Sequence, residues 1–397
     1  MLPIGSFILK ATGWCNLNCS YCYMFNLKDH SYLARPRVMS REIVKASAKS
    51  IHEYAVSHGL TDVGITIHGG EPLLAGKEWF RFLVQSFRET SDQISYRFTV
   101  QTNGVLIDPE WVDLFRELGI VIGLSMDGPR EIHDRNRYNH AGRGSYDEVV
   151  RGLNLLLTAR DSSQIFGGVL CVVDPRENGL SVYRHFRALG VRRIDFLLPL
   201  EYNWEQLPPQ GASFSEYLIP IFDHWWAEDN PDIFVRLFYE IMLLVFGAKR
   251  HIDSLGGDGI NLAVIETNGD LEPLDALRAC GNGFTSVGLN IQQHAIVALH
   301  DKRLFQAAMK GQDGLCATCK ACSLQQICGG GYLPNRYSLS REFDNPSVYC
   351  GDLWALINHV IESMARRELL SDNSANALVG STMSHSNPLR VLSQILN

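Results

Sequence analysis

An α/β chain is what this sequence predicts: six strand–helix units forming a partial (β/α)6 TIM-type barrel, then a helical bridge and a cysteine-rich C-terminal domain. Three observations predict it. Short runs rich in Val, Ile and Phe alternate with amphipathic stretches from Phe7 to about Leu200, which calls for parallel strands with helices packed outside. No seventh or eighth unit follows Leu200, so the barrel is expected to stay open, with its chemistry at the carboxyl ends of the strands. The ten cysteines fall unevenly: Cys15, Cys19 and Cys22 form one group, Cys316, Cys319, Cys322, Cys328 and Cys350 another, while Cys171 and Cys280 stand apart.

Each element has its own signal. The expected strands are Phe7 to Ala11, Val63 to His68, Ile94 to Gln101, Ile120 to Ser125, Ile165 to Val173 and Arg193 to Leu198. Among the helices, Ser40 caps one running toward Gly59, Asp108-Pro109 opens one that Gly119 closes, and Ser145 with Glu148 makes a capping box. Pro208-Pro209-Gln210-Gly211 marks a linker into aromatic-rich helices from Phe214 to about Lys249, and Asn268-Gly269 centres a hairpin from Ala263 to Leu271. A last helix is expected near Trp354 to Arg367, before a Ser-, Asn- and Ala-rich tail expected to be mobile. The domains expected are thus 1–205 (barrel), 206–260 (bridge), 261–370 (auxiliary domain) and 371–397 (tail).

Composition excludes several functions. With 36 basic against 43 acidic side chains and a net charge of −7, the chain offers no footprint for nucleic acid or an anionic membrane. The longest apolar stretch, Ile241 to Phe246, is far short of the roughly eighteen residues of a membrane span. Met1 to Thr12 lacks a cationic segment and a cleavage pattern, so the protein reads as cytoplasmic. In that reducing compartment the cysteine groups read as metal ligands rather than disulfides.

Gly13-Trp14-Cys15-Asn16-Leu17-Asn18-Cys19-Ser20-Tyr21-Cys22-Tyr23 follows the first expected strand with the spacing C-x3-C-x2-C. A [4Fe-4S] cluster normally takes four cysteines, so three leave one iron open to a chelating substrate. A zinc knot would instead need a fourth ligand, for which His30 is awkwardly spaced. The motif resembles that of the radical SAM superfamily, which cleaves S-adenosylmethionine (SAM) at such an iron to release a 5′-deoxyadenosyl radical. His68-Gly69-Gly70-Glu71-Pro72 is similar to the superfamily's Gly-Gly-Glu motif, Gln101-Thr102-Asn103-Gly104 and Ser125-Met126-Asp127-Gly128-Pro129 to its ribose and carboxylate contacts. The resemblance implies SAM contacts from Tyr21, Gly69, Gly70, Glu71, Asn103, Ser125 and Asp127. It adds Arg137, closing an Ile-His-Asp-x-x-Arg segment, and Leu198, expected against the adenine.

Cys319-x2-Cys322-x5-Cys328 with a distant Cys350 resembles the SPASM domain, which carries auxiliary iron–sulfur clusters in peptide- and protein-modifying enzymes. The full pattern has two clusters. This chain supplies the four ligands of one, but places Leu274 and Tyr332 where the other needs cysteines. Cys316 is an additional ligand candidate. Asp275, beside Leu274, matches an aspartate that faces substrate in related enzymes and is a candidate proton acceptor; its plain alternative is a hairpin residue paired with Arg278.

The runs Gly314 to Cys322, Cys328 to Tyr332 and Phe343 to Cys350 resemble FxsB-type maturases. That implies a cyclophane crosslink between an aromatic ring and the β-carbon of a nearby residue in a ribosomally made precursor peptide. It also implies a flavodoxin- or ferredoxin-like electron donor. With only a few residues ahead of the first strand, a winged-helix recognition domain is not expected before the barrel, and leader recognition is expected from the bridge, the SPASM surface, the tail or a separate protein. Two readings compete: an anaerobic sulfatase-maturase-like enzyme oxidising Cys or Ser to formylglycine, against which Leu274 and Tyr332 count, and a non-catalytic zinc- or iron–sulfur-binding scaffold.

Overall fold

Strand-forming runs and capped helices alternate as the residue pattern requires. The computed structural model describes residues 3–90, 93–249 and 252–367; the tail assigned to 371–397 lies outside them. In chain order the strands are β1 (Ser6–Thr12), β2 (Asp62–Gly69), β3 (Ser95–Thr102), β4 (Ile120–Ser125), β5 (Phe166–Val172), β6 (Arg193–Leu197), β7 (Phe234–Val235), β8 (Leu262–Ile265), β9 (Asp270–Glu272) and β10 (Leu289–Asn290). The helices are α1 (Arg41–Ser57), α2 (Lys77–Arg88), α3 (Pro109–Leu118), α4 (Arg130–Asn136), α5 (Tyr146–Thr158), α6 (Ser162–Ile165), α7 (Gly179–Ala188), α8 (Phe214–Glu228), α9 (Arg236–Val245), α10 (Arg303–Met309), α11 (Ala317–Lys320), α12 (Gln325–Cys328) and α13 (Cys350–Arg366). This is an α/β fold built on a parallel sheet, and each of the six expected strands is present.

The chain divides into two compact units: Met1–Leu170 with Asn261–Met309, and Cys171–Ile260 with Lys310–Asn397. The segment expected as one auxiliary domain therefore contributes to both. In the first unit the strands run in the order β10-β9-β8-β1-β2-β3-β4-β5. β1 to β5 pair in parallel with their sequence neighbours, and the expected hairpin forms as β8 and β9, antiparallel. β8 also joins β1 in parallel, an extension of the sheet that the hairpin signal did not announce. The helices bury aromatic faces, as where Phe80 of α2 meets Trp111 and Phe115 of α3 edge-on at 5.2 and 6.1 Å.

Capping explains most helix boundaries. Ser40 Oγ accepts the Ile43 amide and Asp108 Oδ1 the Trp111 amide, and Gly119 closes α3 in the left-handed region. Ser145 departs from expectation: it makes no cap bond and is recruited elsewhere. In the second unit β6 pairs with the short β7 in parallel, and the bridge is interrupted, with Asp229 at φ 47° ending α8 before β7 and α9 begin. The final helix starts at Cys350, earlier than expected, which puts that cysteine in its first turn. Among the described residues no helix is long and apolar enough to cross a membrane.

Candidate functional site

β1 delivers the chain directly into the three-cysteine loop of the first unit. That loop hangs on the end of α4: Asn18 N donates to Tyr138 O at 2.7 Å and Ser20 N to Asn136 O at 3.0 Å. Asn26 Nδ2 braces it from within on Cys19 O at 2.8 Å. The Gly69-Gly70 turn presses against its start. A Cβ on Gly70 would lie 2.0 Å from Trp14 O, and one on Gly69, at φ +135°, would lie 2.3 Å from Thr12 O, so only glycine fits. The three thiols are free and lie within electrostatic reach of one another. Burial, with Glu71 adding to it, raises Cys15 well above the usual thiol range, and burial pushes Cys19 up to about 11. Ligation by iron would release those protons.

Glu71 is fully enclosed. Its Oε1 accepts from Leu73 N at 3.0 Å and Thr102 Oγ1 at 2.7 Å, and its Oε2 from Asn103 N at 2.8 Å. Burial pushes its carboxyl up to about 7. The carboxyl thus couples the Gly-Gly turn to the end of β3, where Asn103 Nδ2 reaches Asn16 Oδ1 at 2.8 Å and approaches Cys15 Sγ at 3.7 Å. One strand on, Ser125 Oγ accepts from Gln101 Nε2 at 2.7 Å.

Tyr21, Asp127 and Arg137 meet in one buried cluster. Tyr21 OH donates to Asp127 Oδ2, which Arg137 Nε also reaches at 2.9 Å, and the Arg137 guanidinium lies 5.5 Å from the Tyr21 ring centroid. A second chain of bonds holds this arrangement. Asp127 N donates to His133 Nδ1 at 3.3 Å, His133 Nε2 lies 3.0 Å from Ser145 Oγ, and that hydroxyl donates to Arg137 O at 2.8 Å. Burial lowers His133 to about 4, keeping it neutral as the chain requires. This is why Ser145 does not cap α5. Leu198 follows β6 in the second unit, half-buried.

The residue pattern alone missed a fourth grouping. Lys10, fully buried near the end of β1, is register partner to His68 of β2. Its Nζ donates to Asp275 Oδ2 and, at 2.8 Å, to His68 Nδ1, which leaves the imidazole proton on Nε2. Tyr23 OH donates to the same Asp275 oxygen at 2.8 Å. Although burial opposes charge, the Lys10 ammonium and the Tyr23 hydroxyl hold the Asp275 carboxyl well below the usual carboxylate range. His68, desolvated beside a cation, is lowered to about 3. The expected alternative partner is elsewhere: Arg278 binds Asp29 at 2.6 Å and Glu266 and Glu272 at 2.8 Å each. Three carboxylates already surround that guanidinium, so Asp275 is left to Lys10.

In the second unit Cys316 is buried ahead of α11 and hydrogen-bonds with Cys319. Cys328 lies within electrostatic reach of Cys322 and Cys350, and the exposed Cys350 within reach of Cys322 and Cys316. All five are free thiols. Among the described residues no three His, Cys, Asp or Glu side chains converge on one ion-sized position; the thiolates of a cubane bind separate irons and need not converge. His30 sits on the exposed surface, its amide bonded to Asn282.

The radical SAM superfamily model matches residues 9–179. The chain is 27% identical to a cysteine-type anaerobic sulfatase-maturating enzyme of Clostridium perfringens, over 83% of this chain and 89% of that one. It is also 27% identical to a serine-type anaerobic sulfatase-maturating enzyme of Bacteroides thetaiotaomicron, over 94% and 93%. An uncharacterised Synechocystis protein is 31% identical over 86% and 87%. Among solved structures, native anSMEcpe with bound AdoMet superposes with a TM-score of 0.77 at 25% identity, covering 94% of this chain and 99% of that one.

These similarities overturn the FxsB-type, cyclophane-forming expectation. Relatives that align along nearly the whole chain are named for sulfatase maturation, of both residue types. The runs that carried the FxsB-type resemblance consist largely of cysteines and the turns between them. Such residues do not report which bond the substrate loses. For the same reason Leu274 and Tyr332 do not weigh against the maturase alternative. The scaffold alternative falls as well.

Proposed function

We propose, from the premise that the chain belongs to the radical SAM superfamily, that this enzyme oxidises a cysteine or serine side chain of a peptide or protein substrate to formylglycine. The observation that carries the reading is Asp275, buried yet held ionised in the same unit as the three-cysteine loop. Lys10 and Tyr23 both donate to its Oδ2, and no described residue bonds Oδ1. Oδ1 is therefore the oxygen open to a substrate proton.

The residues fit the cofactors of the superfamily: three thiols on one loop without a fourth, against a turn that admits only glycine. Cys15, Cys19 and Cys22 would hold a [4Fe-4S] cluster. Tyr21, Gly69, Gly70, Glu71, Asn103, Ser125, Asp127 and Arg137, all of the first unit, would contact SAM. When bound and reduced by one electron, the pair supplies a 5′-deoxyadenosyl radical that removes a hydrogen from the substrate β-carbon.

The remaining chemistry falls to this chain. The substrate hydroxyl or thiol must lose its proton as the carbon–heteroatom double bond forms, and Asp275 Oδ1 takes it. Cys319, Cys322, Cys328 and Cys350, with Cys316 beside them, would hold an auxiliary iron–sulfur cluster, which would supply an acceptor for the surplus electron. A serine thus gives the aldehyde directly, whereas a cysteine gives a thioaldehyde that water hydrolyses with loss of sulfide. A low-potential donor of the flavodoxin or ferredoxin class supplies the first electron.

The test is anaerobic turnover of paired peptides bearing Cys or Ser in a sulfatase-type context, with hydrazide trapping of the aldehyde. Asp275→Asn should lower aldehyde formation by about a hundredfold or more while 5′-deoxyadenosine is still released. Peptides that emerge without aldehyde from a wild-type enzyme that cleaves SAM would refute the reading.

A further inference from the structure

The second unit buries a cation without a carboxylate. Arg336 is 4% exposed, and its guanidinium donates only to neutral carbonyls: Asn345 O at 3.2 Å, Gly314 O at 2.5 Å and Phe343 O at 2.7 Å. No ion pair to it forms among the described residues. Asp344, a carboxylate that acts on it electrostatically, is exposed and bound by Arg341 at 3.2 Å. Those hydrogen bonds offset part of the desolvation cost, but the buried charge itself has no bonded counter-charge. What does surround it is sulfur: Cys316, Cys319 and Cys328 are the other groups within electrostatic reach. Burial raises the Cys319 and Cys328 thiols, Cys328 to about 11. As iron ligands they would be thiolates.

The surrounding backbone has the same polarity. Gly329, Gly330 and Gly331 follow Cys328 at φ +61°, +80° and +72°, a left-handed run that only glycine sustains cheaply. It turns the amides of Gly330 and Gly331 toward the Cys328 sulfur, in the manner of an anion-binding nest. The three carbonyls bound by Arg336 belong to the segments leading into Cys316 and Cys350. The guanidinium therefore ties the cysteine-bearing segments together and faces their sulfurs with positive charge.

We propose that Arg336 is the built-in counter-charge of the auxiliary cluster and a positioning residue that raises its affinity for an electron. A [4Fe-4S] cluster with four thiolates is doubly anionic, and triply anionic once reduced. A fixed cation beside it favours the reduced form, and net charge and hydrogen bonds to sulfur are among the factors that set such potentials. The proposal rests on the auxiliary-cluster part of the reading above.

Full-length protein with Cys15, Cys19 and Cys22 changed to Ala, reconstituted anaerobically, isolates the auxiliary site. It should hold about four irons; no iron would refute the auxiliary cluster itself and this proposal with it. In that background, redox titration followed by electron paramagnetic resonance compares Arg336→Gln with Arg336→Lys. The expected result is full iron in both, with electron affinity falling about tenfold in Arg336→Gln, a drop of about 59 mV for a one-electron couple, and nearly retained in Arg336→Lys. Full iron with an unmoved potential in Arg336→Gln would overturn the proposal while leaving the auxiliary cluster standing. Loss of iron in both variants would also overturn it, reducing Arg336 to a structural strap.

Discussion

Lys10 and Asp275 lie 265 positions apart, and no spacing rule links a lysine within one strand to an aspartate in a distant turn. What the residue pattern did offer was a cation in the middle of the apolar run Phe7-Ile8-Leu9-Lys10-Ala11, which needs a buried counter-charge. Removing either partner alone strands the other. Lys10→Met should cost about 3–5 kcal/mol in urea unfolding, and adding Asp275→Asn should recover much of that loss; a strictly additive double mutant would contradict the pairing. His68 brings a pH dependence. It is lowered from an ordinary 6.5 to about 3 in the folded protein, so as pH falls from 6.5 toward 3 the unfolded chain takes up a proton that the folded chain refuses. Stability declines across that window by up to about 1.4 kcal/mol per pH unit. His68→Gln should flatten the decline, and a wild-type profile in the variant would assign it to other groups.

At the scale of elements, the strands were legible because period-two burial and β-branched composition act within a few residues. β4 begins and ends where its pattern does, and the others shift by a residue or so at their ends. The errors arose where tertiary contacts outbid local ones: Ser145 is drawn from its cap into the His133 chain, and β8 is captured by β1. The cysteine loops were legible from spacing, the grip of their glycine turns less so. A Cβ on Gly329 would lie 2.0 Å from Gly257 N, at a backbone φ of +61°. Gly329→Ala should therefore destabilise the second unit by about 1–3 kcal/mol and reduce auxiliary iron loading. Unaltered iron and unfolding midpoint would show that the segment 256–257 yields.

For the whole molecule, regular structure is unequally distributed. Residues 310–349 contain only the single turns α11 and α12 and short 3-10 turns, so their order leans on glycine turns, Arg336 and the ligands themselves. Cys319→Ala should raise amide exchange across 310–349 while the strands β1 to β4 keep their protection; equal loss in both would mean that the units unfold together. Substrate class was the least legible property, because it resides in what a cavity admits, and ligand spacings encode none of that. The bonded chain from the Asp127 amide through His133 and Ser145 to the Arg137 carbonyl also bears on inheritance. His133 links the Asp127 amide to the Ser145 hydroxyl, so a lineage that loses the imidazole also strips that hydroxyl of its partner on this side. Positions 133 and 145 should consequently change together across descendants of this fold, as one heritable unit, although neither would touch a reacting atom.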